Sequence, residues 1–90
     1  MTVDPVQLES ERMRRVIARR IAGLVNLRGD DRKELAAAIG TSETRISRVM
    51  KESSDLSAVE LAMAARHLKV PVGVLTGETP LDETMTARRK

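Results

Sequence analysis

The chain has 90 residues, of which 41% are hydrophobic and 32% charged, and its formal net charge is +3. This length suits a single domain, and this composition is typical of a globular protein rather than a disordered one. The chain contains no cysteine, phenylalanine, tyrosine or tryptophan. That composition excludes disulfides, thiolate metal sites and aromatic platforms for stacking unpaired bases. Because no apolar run approaches a membrane span or a secretory leader, we expect a cytoplasmic chain with no membrane partner.

The first predicted element is a long helix that begins at Pro5, with Asp4 as its cap, and ends near Gly29. Its apolar residues share one stripe by their helical spacing, and they are Met13, Val16, Ile17, Ile21, Leu24 and Val25. Arginines occupy other faces, where they either face solvent or contact DNA. Residues 1–12 are predicted to be a helical extension of the domain or, alternatively, an arm.

Two short helices are predicted next, over residues 32–39 and from residue 43 to about residue 51. The apolar residues on their inner faces are spaced three or four apart, and they are Leu35, Ile39, Ile46 and Val49. Gly40 suits the positive φ at which a helix often ends, and Ser42 is placed to cap the second helix. The pattern therefore predicts two helices joined by one tight turn, although an ordinary αα-hairpin of a bundle is an alternative.

A fourth helix is predicted to open at the capping box formed by Ser57 and Glu60, and a short fifth helix lies between Pro71 and Gly77. Beyond residue 77 the sequence shows no apolar periodicity. We therefore predict one domain over residues 1–77, followed by a mobile basic tail over residues 78–90.

These elements resemble the phage repressor and Cro family of helix-turn-helix proteins, also called XRE-like. The segments that carry the resemblance are Glu34-Leu35-Ala36, Gly40-Thr41-Ser42 and Ile46-Ser47-Arg48, and the likeness covers roughly residues 21–77. It implies an all-α fold, namely a compact five-helix lambda-repressor-like helix-turn-helix domain, here with a long first helix.

The chain departs from the family's pattern in two places. Val25 and Met50 stand where members often bury an ion pair, and we expect these two apolar residues to pack against each other. Glu52 stands where a glycine usually follows the third helix, which leaves the start of the next loop open.

The resemblance also implies which residues contact DNA. The base-contacting candidates lie at the start of the third helix and one turn further on, and they are Ser42, Glu43, Thr44, Arg45, Ser47 and Arg48. The backbone-contacting candidates are Arg32, Lys33 and Lys51. By spacing alone, Thr44, Ser47, Arg48 and Lys51 share one outer face of that helix, from which Arg48 could bind guanine through O6 and N7. The alternative is that these polar residues only face solvent.

The function implied is a sequence-specific double-stranded DNA-binding transcriptional regulator of a phage or bacterium, which acts like Cro or a repressor by occupying an operator. Because so small a domain contacts few base pairs, a homodimer is the default expectation, formed through either the fifth helix or the early part of the first. A monomer also fits. An antitoxin-like or other protein-binding module of the same fold, partnered by a toxin, is the alternative. We expect no enzyme, cofactor or metal, because the lone histidine, His67, lacks partners for catalysis or ligation.

Overall fold

The computed structural model describes residues 4–86, and within that range the chain forms helices and no strand. The helices are α1 (Pro5–Arg28), α2 (Arg32–Ile39), α3 (Glu43–Met50), α4 (Ala58–Leu68), α5 (Val72–Thr76) and α6 (Glu83–Thr86). The predicted all-α class is therefore confirmed. None of the described helices combines the length and apolar character needed to cross a bilayer.

The ends of α1 form as the local sequence predicts. The Asp4 carboxylate accepts a hydrogen bond from the Val6 backbone N–H at 3.0 Å, which satisfies one of the free donors of the first turn. Gly29 ends the helix with φ +70°, a conformation that residues with a Cβ adopt at a cost. At 1.5 Å per residue, this helix is about 36 Å long. Residues 4–13 are all exposed, so its first half projects from the rest of the protein.

One hydrophobic core joins the first five helices. Its most deeply buried side chains come from four of them and are Leu24, Leu35, Ala64, Leu68, Val74 and Leu75, all fully inaccessible to solvent. Val25 is buried in this core and Met50 packs against it from the margin, so both residues of the expected apolar pair lie at the same core. Helix α2 packs against α3 and α4, and α3 also packs against α1.

Part of the predicted tail packs against the domain in the structure. Leu81 and Met85 pack against the core, and the short helix α6 lies on α1. Asp82 begins this helix, since its carboxylate accepts from the Met85 backbone N–H at 3.1 Å. Two apolar residues four positions apart are too few to produce a periodic pattern, so the sequence did not reveal this short helix. The rest of the predicted tail, residues 87–90, lies outside the described residues.

Candidate nucleic-acid interface

A three-residue turn sets the angle between α2 and α3. Gly40 has φ +74°, and its N–H donates to the carbonyls of Ala36 and Ala37, so α2 ends abruptly there. The N–H of Thr41 donates to the Ala36 carbonyl at 2.9 Å. The Ser42 hydroxyl then accepts from the Arg45 backbone N–H at 3.1 Å and starts α3. The turn therefore forms as the sequence predicts.

The inner face of α3 is apolar and its outer face is polar. Ile46 is 1% exposed and Val49 is 3% exposed, and both belong to the core. The predicted contact residues that the structure leaves exposed on or beside this helix are Ser42, Glu43, Thr44, Arg48 and Lys51, while Ser47 is half-buried. Within residues 4–86, neither Arg48 nor Lys51 forms an ion pair. These two cations are thus available to an outside ligand.

Arg45 takes a different position from the other predicted base contacts. Its guanidinium lies against the start of α4, where it donates to both carboxylate oxygens of Glu60, one of them at 2.8 Å. It also donates to the Asp55 carbonyl at 2.6 Å and the Thr41 hydroxyl at 3.3 Å. A guanidinium spread over three partners inside the protein is not free to reach a base. Arg45 instead fixes α3 against α4, so we leave it out of the proposed contact surface.

Glu60 is the centre of this polar junction. Its carboxylate accepts from Arg45 and, at 2.8 Å, from the Ser57 backbone N–H, while the Ser57 hydroxyl accepts from the Glu60 N–H at 3.1 Å. The predicted capping box of α4 is therefore confirmed. The hydrogen bond from Arg45, followed by the one from the Ser57 backbone, lowers the pKa of Glu60 to about 2.

A second ionic contact connects α1 with the loop after α3. Arg14 Nε lies 2.6 Å from Asp55 Oδ1, and a second nitrogen lies 3.0 Å from Oδ2, which is a bidentate geometry. The hydrogen bond from Arg14 lowers the pKa of the Asp55 carboxyl. Because the Asp55 carbonyl also accepts from Arg45, this one residue links α1 to α3. Arg14 is therefore engaged within the protein, whereas Arg12 and Arg19 are exposed.

The start of α2 carries the remaining predicted contacts. Asp31 caps this helix, and its carboxylate accepts from the Lys33 backbone N–H at 2.8 Å. The side chains of Arg32 and Lys33 are exposed, and within the described chain neither forms an ion pair. They can reach an external anion, as the sequence predicts for residues at this position.

Glu52 adopts an unfavourable backbone conformation directly after α3. Its φ is +66°, in the left-handed region that normally favours glycine. The family that the sequence resembles usually has a glycine here, which adopts this conformation without strain. Its carboxylate lies 3.6 Å from Arg15 Nε, an exposed pair that contributes little to stability.

Comparison with known proteins adds no further information about the site. No protein-family model matches this chain, and no curated protein or solved structure is significantly similar to it.

Proposed function

We propose that this chain is a sequence-specific double-stranded DNA-binding transcriptional regulator with a lambda-repressor-like helix-turn-helix domain, in which α3 enters the major groove. One observation carries the proposal. The outer face of α3 presents Thr44, Arg48 and Lys51 to solvent, while its inner face is buried and Arg45 fixes it to α4. A rigid helix with a free polar face supports insertion into a groove about 12 Å wide, because a helix with its side chains is about 10–12 Å across.

The exposed residues suit different roles in that groove. Arg48 can donate two parallel hydrogen bonds to guanine O6 and N7, and the Thr44 methyl can contact the methyl of thymine. The Glu43 carboxylate repels phosphate but can accept a hydrogen bond from the N4 amino group of cytosine. It would therefore favour cytosine at one position and weaken binding to duplexes that lack it there. Lys51 lies at the far end of α3, where an ammonium can pair with a backbone phosphate.

Arg32 and Lys33 would hold the domain in register on the DNA. Both are exposed at the start of α2, a position from which cations neutralise phosphates without reading sequence. Each such contact releases counterions and makes the affinity depend on salt concentration. Residues 1–51 contain 11 basic and 7 acidic side chains, and this basic excess favours the approach of a polyanion.

The test is selection of a binding site from randomised duplexes, followed by fluorescence anisotropy with the selected duplex. We expect Arg48→Ala to cost about 1–3 kcal/mol and to relax the choice at one base pair. Arg66→Ala is the matched control, because Arg66 is an exposed arginine in the last turn of α4 and should leave the affinity unchanged. Failure to enrich any duplex at low salt would refute the proposal. Equal weakening on all duplexes would make Arg48 a phosphate contact.

A salt titration of the same complex separates the two kinds of contact. We expect Arg32→Ala to weaken binding to any duplex and to reduce the slope of log K against log salt by about 1. Arg48→Ala should leave that slope closer to the parent value. An unchanged slope for Arg32→Ala would remove Arg32 from the contact surface.

A further inference from the structure

A cleft lies between the middle of α1 and the segment that connects α3 to α4, and its volume is about 310 Å³. Its apolar lining consists of Met13, Ile17, Val49 and Leu56. Val49 is a core residue, and Ile17 and Leu56 pack against the core, so most of this lining is held in place before anything enters. A pre-formed apolar cleft with a few polar groups at its edge is the usual form of a small-molecule site.

A charged pair, Arg14 and Asp55, also lines the cleft. The Arg14 side chain is 34% exposed and the Asp55 side chain is 63% exposed. So exposed an ion pair contributes little to stability, because water screens both charges. Within residues 4–86, the Arg14 guanidinium donates hydrogen bonds to Asp55 and to no other residue. A carboxylate that enters the cleft can therefore take the place of Asp55 on Arg14 at small cost.

The Arg14 guanidinium determines the charge and shape of the head group that fits. Its planar edge, which binds both carboxylate oxygens of Asp55, can bind another carboxylate in the same bidentate way. An ammonium group would be repelled by Arg14, and a single hydroxyl oxygen cannot match two parallel donors. The edge of the cleft therefore favours a carboxylate.

The volume of the cleft limits the length of the rest of the molecule. A water molecule occupies about 30 Å³ in the liquid and a methylene group is of similar size, so the cleft holds roughly ten non-hydrogen atoms. The chain contains no aromatic side chain that could stack on a flat ring. Its lining is aliphatic apart from the flexible Met13, which adapts to an irregular occupant. These features suit a flexible aliphatic tail.

We propose that this cleft binds a medium-chain aliphatic monocarboxylate of about eight carbons. Its carboxylate pairs with Arg14 in place of Asp55, and its tail lies on the apolar lining, where it is removed from water. The bound acid also contacts two residues that position α3. Val49 lies on the buried face of that helix, and the Asp55 carbonyl accepts a hydrogen bond from Arg45.

A series of fatty acids tests the size of the site by isothermal titration calorimetry with the full chain. We expect a dissociation constant of about 1 mM or lower for octanoate. From butanoate to octanoate, each added methylene should strengthen binding about three- to fourfold, and the gain should stop once the cleft is full. An affinity that continues to rise at this rate through dodecanoate, or no binding of octanoate at about 10 mM, overturns the proposal.

The head group is tested with Arg14→Gln, and Arg12→Gln is the matched control because Arg12 is exposed on α1 and does not line the cleft. We expect Arg14→Gln to weaken octanoate binding about tenfold and to remove the preference for octanoate over 1-octanol. Its gain per methylene should persist, which a misfolded variant would not show. Equal weakening by Arg12→Gln would indicate attraction to the basic helix in general. Tighter binding of octylammonium than of octanoate would also refute the proposal.

Asp55→Asn tests the exchange of partners on Arg14. The asparagine keeps the backbone carbonyl that Arg45 uses and removes the competing charge, so we expect it to strengthen octanoate binding about threefold or more. Weaker binding would mean that the ion pair builds the cleft, and it would contradict the exchange.

Two similarly exposed methionines locate the tail. Met13 in the cleft is 36% exposed, and Met63 on α4 is 41% exposed. Met13→Glu should weaken octanoate binding about tenfold or more, because it places a carboxylate in the path of the tail, whereas Met63→Glu should leave the affinity unchanged. Equal effects of the two changes would place the acid elsewhere. All these measurements are made without DNA, so their outcome is independent of the proposed function.

Discussion

Arg28 offers the sharpest test of what holds this fold together. It is 7% exposed, and its ionic partner Asp30 has a side chain that is 5% exposed. One guanidinium nitrogen donates to the Leu68 carbonyl at the end of α4, and Nε lies 3.5 Å from Asp30 Oδ2. The last carbonyls of a helix lack partners within the helix, and a cation is favoured there. Arg28 therefore joins the end of α1 to the end of α4.

The contacts give the expected cost of Arg28→Ala. A hydrogen bond from a charged donor contributes about 1.5–3 kcal/mol, and removal of one partner of a buried ion pair costs about 3–5 kcal/mol. The 3.5 Å separation from Asp30 is long for an ion pair, which favours the lower part of these ranges. We therefore expect a loss of about 2–4 kcal/mol, a large share of the roughly 5–15 kcal/mol typical of a whole domain.

Urea unfolding followed by far-ultraviolet circular dichroism measures this loss. The midpoint should fall while the slope of the transition stays constant, because the change removes contacts rather than altering compactness. Arg66→Ala on the exposed side of α4 is the matched control and should stay within about 0.5 kcal/mol of the parent. A loss of less than about 1 kcal/mol for Arg28→Ala would show that Arg28 contributes little net stability, as happens for some buried ion pairs.

Two further predictions concern the dependence of stability on pH and the backbone strain at the end of α4. The pKa of Glu60 is about 2 in the folded protein and near 4.5 when unfolded, so its contribution to stability is present above pH 4.5 and is lost as the pH falls through 2. Between pH 4.5 and pH 2, the urea midpoint of Glu60→Gln should therefore change less than that of the parent. Equal changes in the two proteins would contradict this. Lys69 ends α4 with φ +58°, so Lys69→Gly should raise the free energy of unfolding by about 0.5–1 kcal/mol, seen as a higher Tm. Lys69→Ala retains a Cβ and therefore the strain. An equal gain in the free energy of unfolding from Lys69→Ala would exclude relief of strain as the cause.

The helix boundaries could be predicted because the signals that set them are local. Asp4 and Gly29 delimit α1, Gly40 ends α2, and the capping box of Ser57 and Glu60 opens α4. Each of these signals acts through hydrogen bonds between residues a few positions apart. A sequence window therefore contains all the information that the boundary requires.

The contacts between helices could not be predicted in the same way. Arg45 and Glu60 are 15 residues apart, and Arg28 and Leu68 are 40 apart. Such pairs meet only after the core has brought the helices together, and a long arginine can reach several alternative partners. The resemblance therefore placed Arg45 among the base-contacting candidates, whereas the folded chain turns it toward α4.

The engagement of Arg45 also limits how much DNA one copy could read. Of the eight residues in α3, Ile46 and Val49 face the core and Arg45 is held by α4. Thr44 and Arg48 then remain as the exposed side chains best suited to base edges, and each base pair read contributes about 1–3 kcal/mol of discrimination. Two such contacts cannot single out one operator among the vast excess of competing sites in a genome. A pair of copies would double the number of base pairs read, and it would require a binding site with two-fold symmetry.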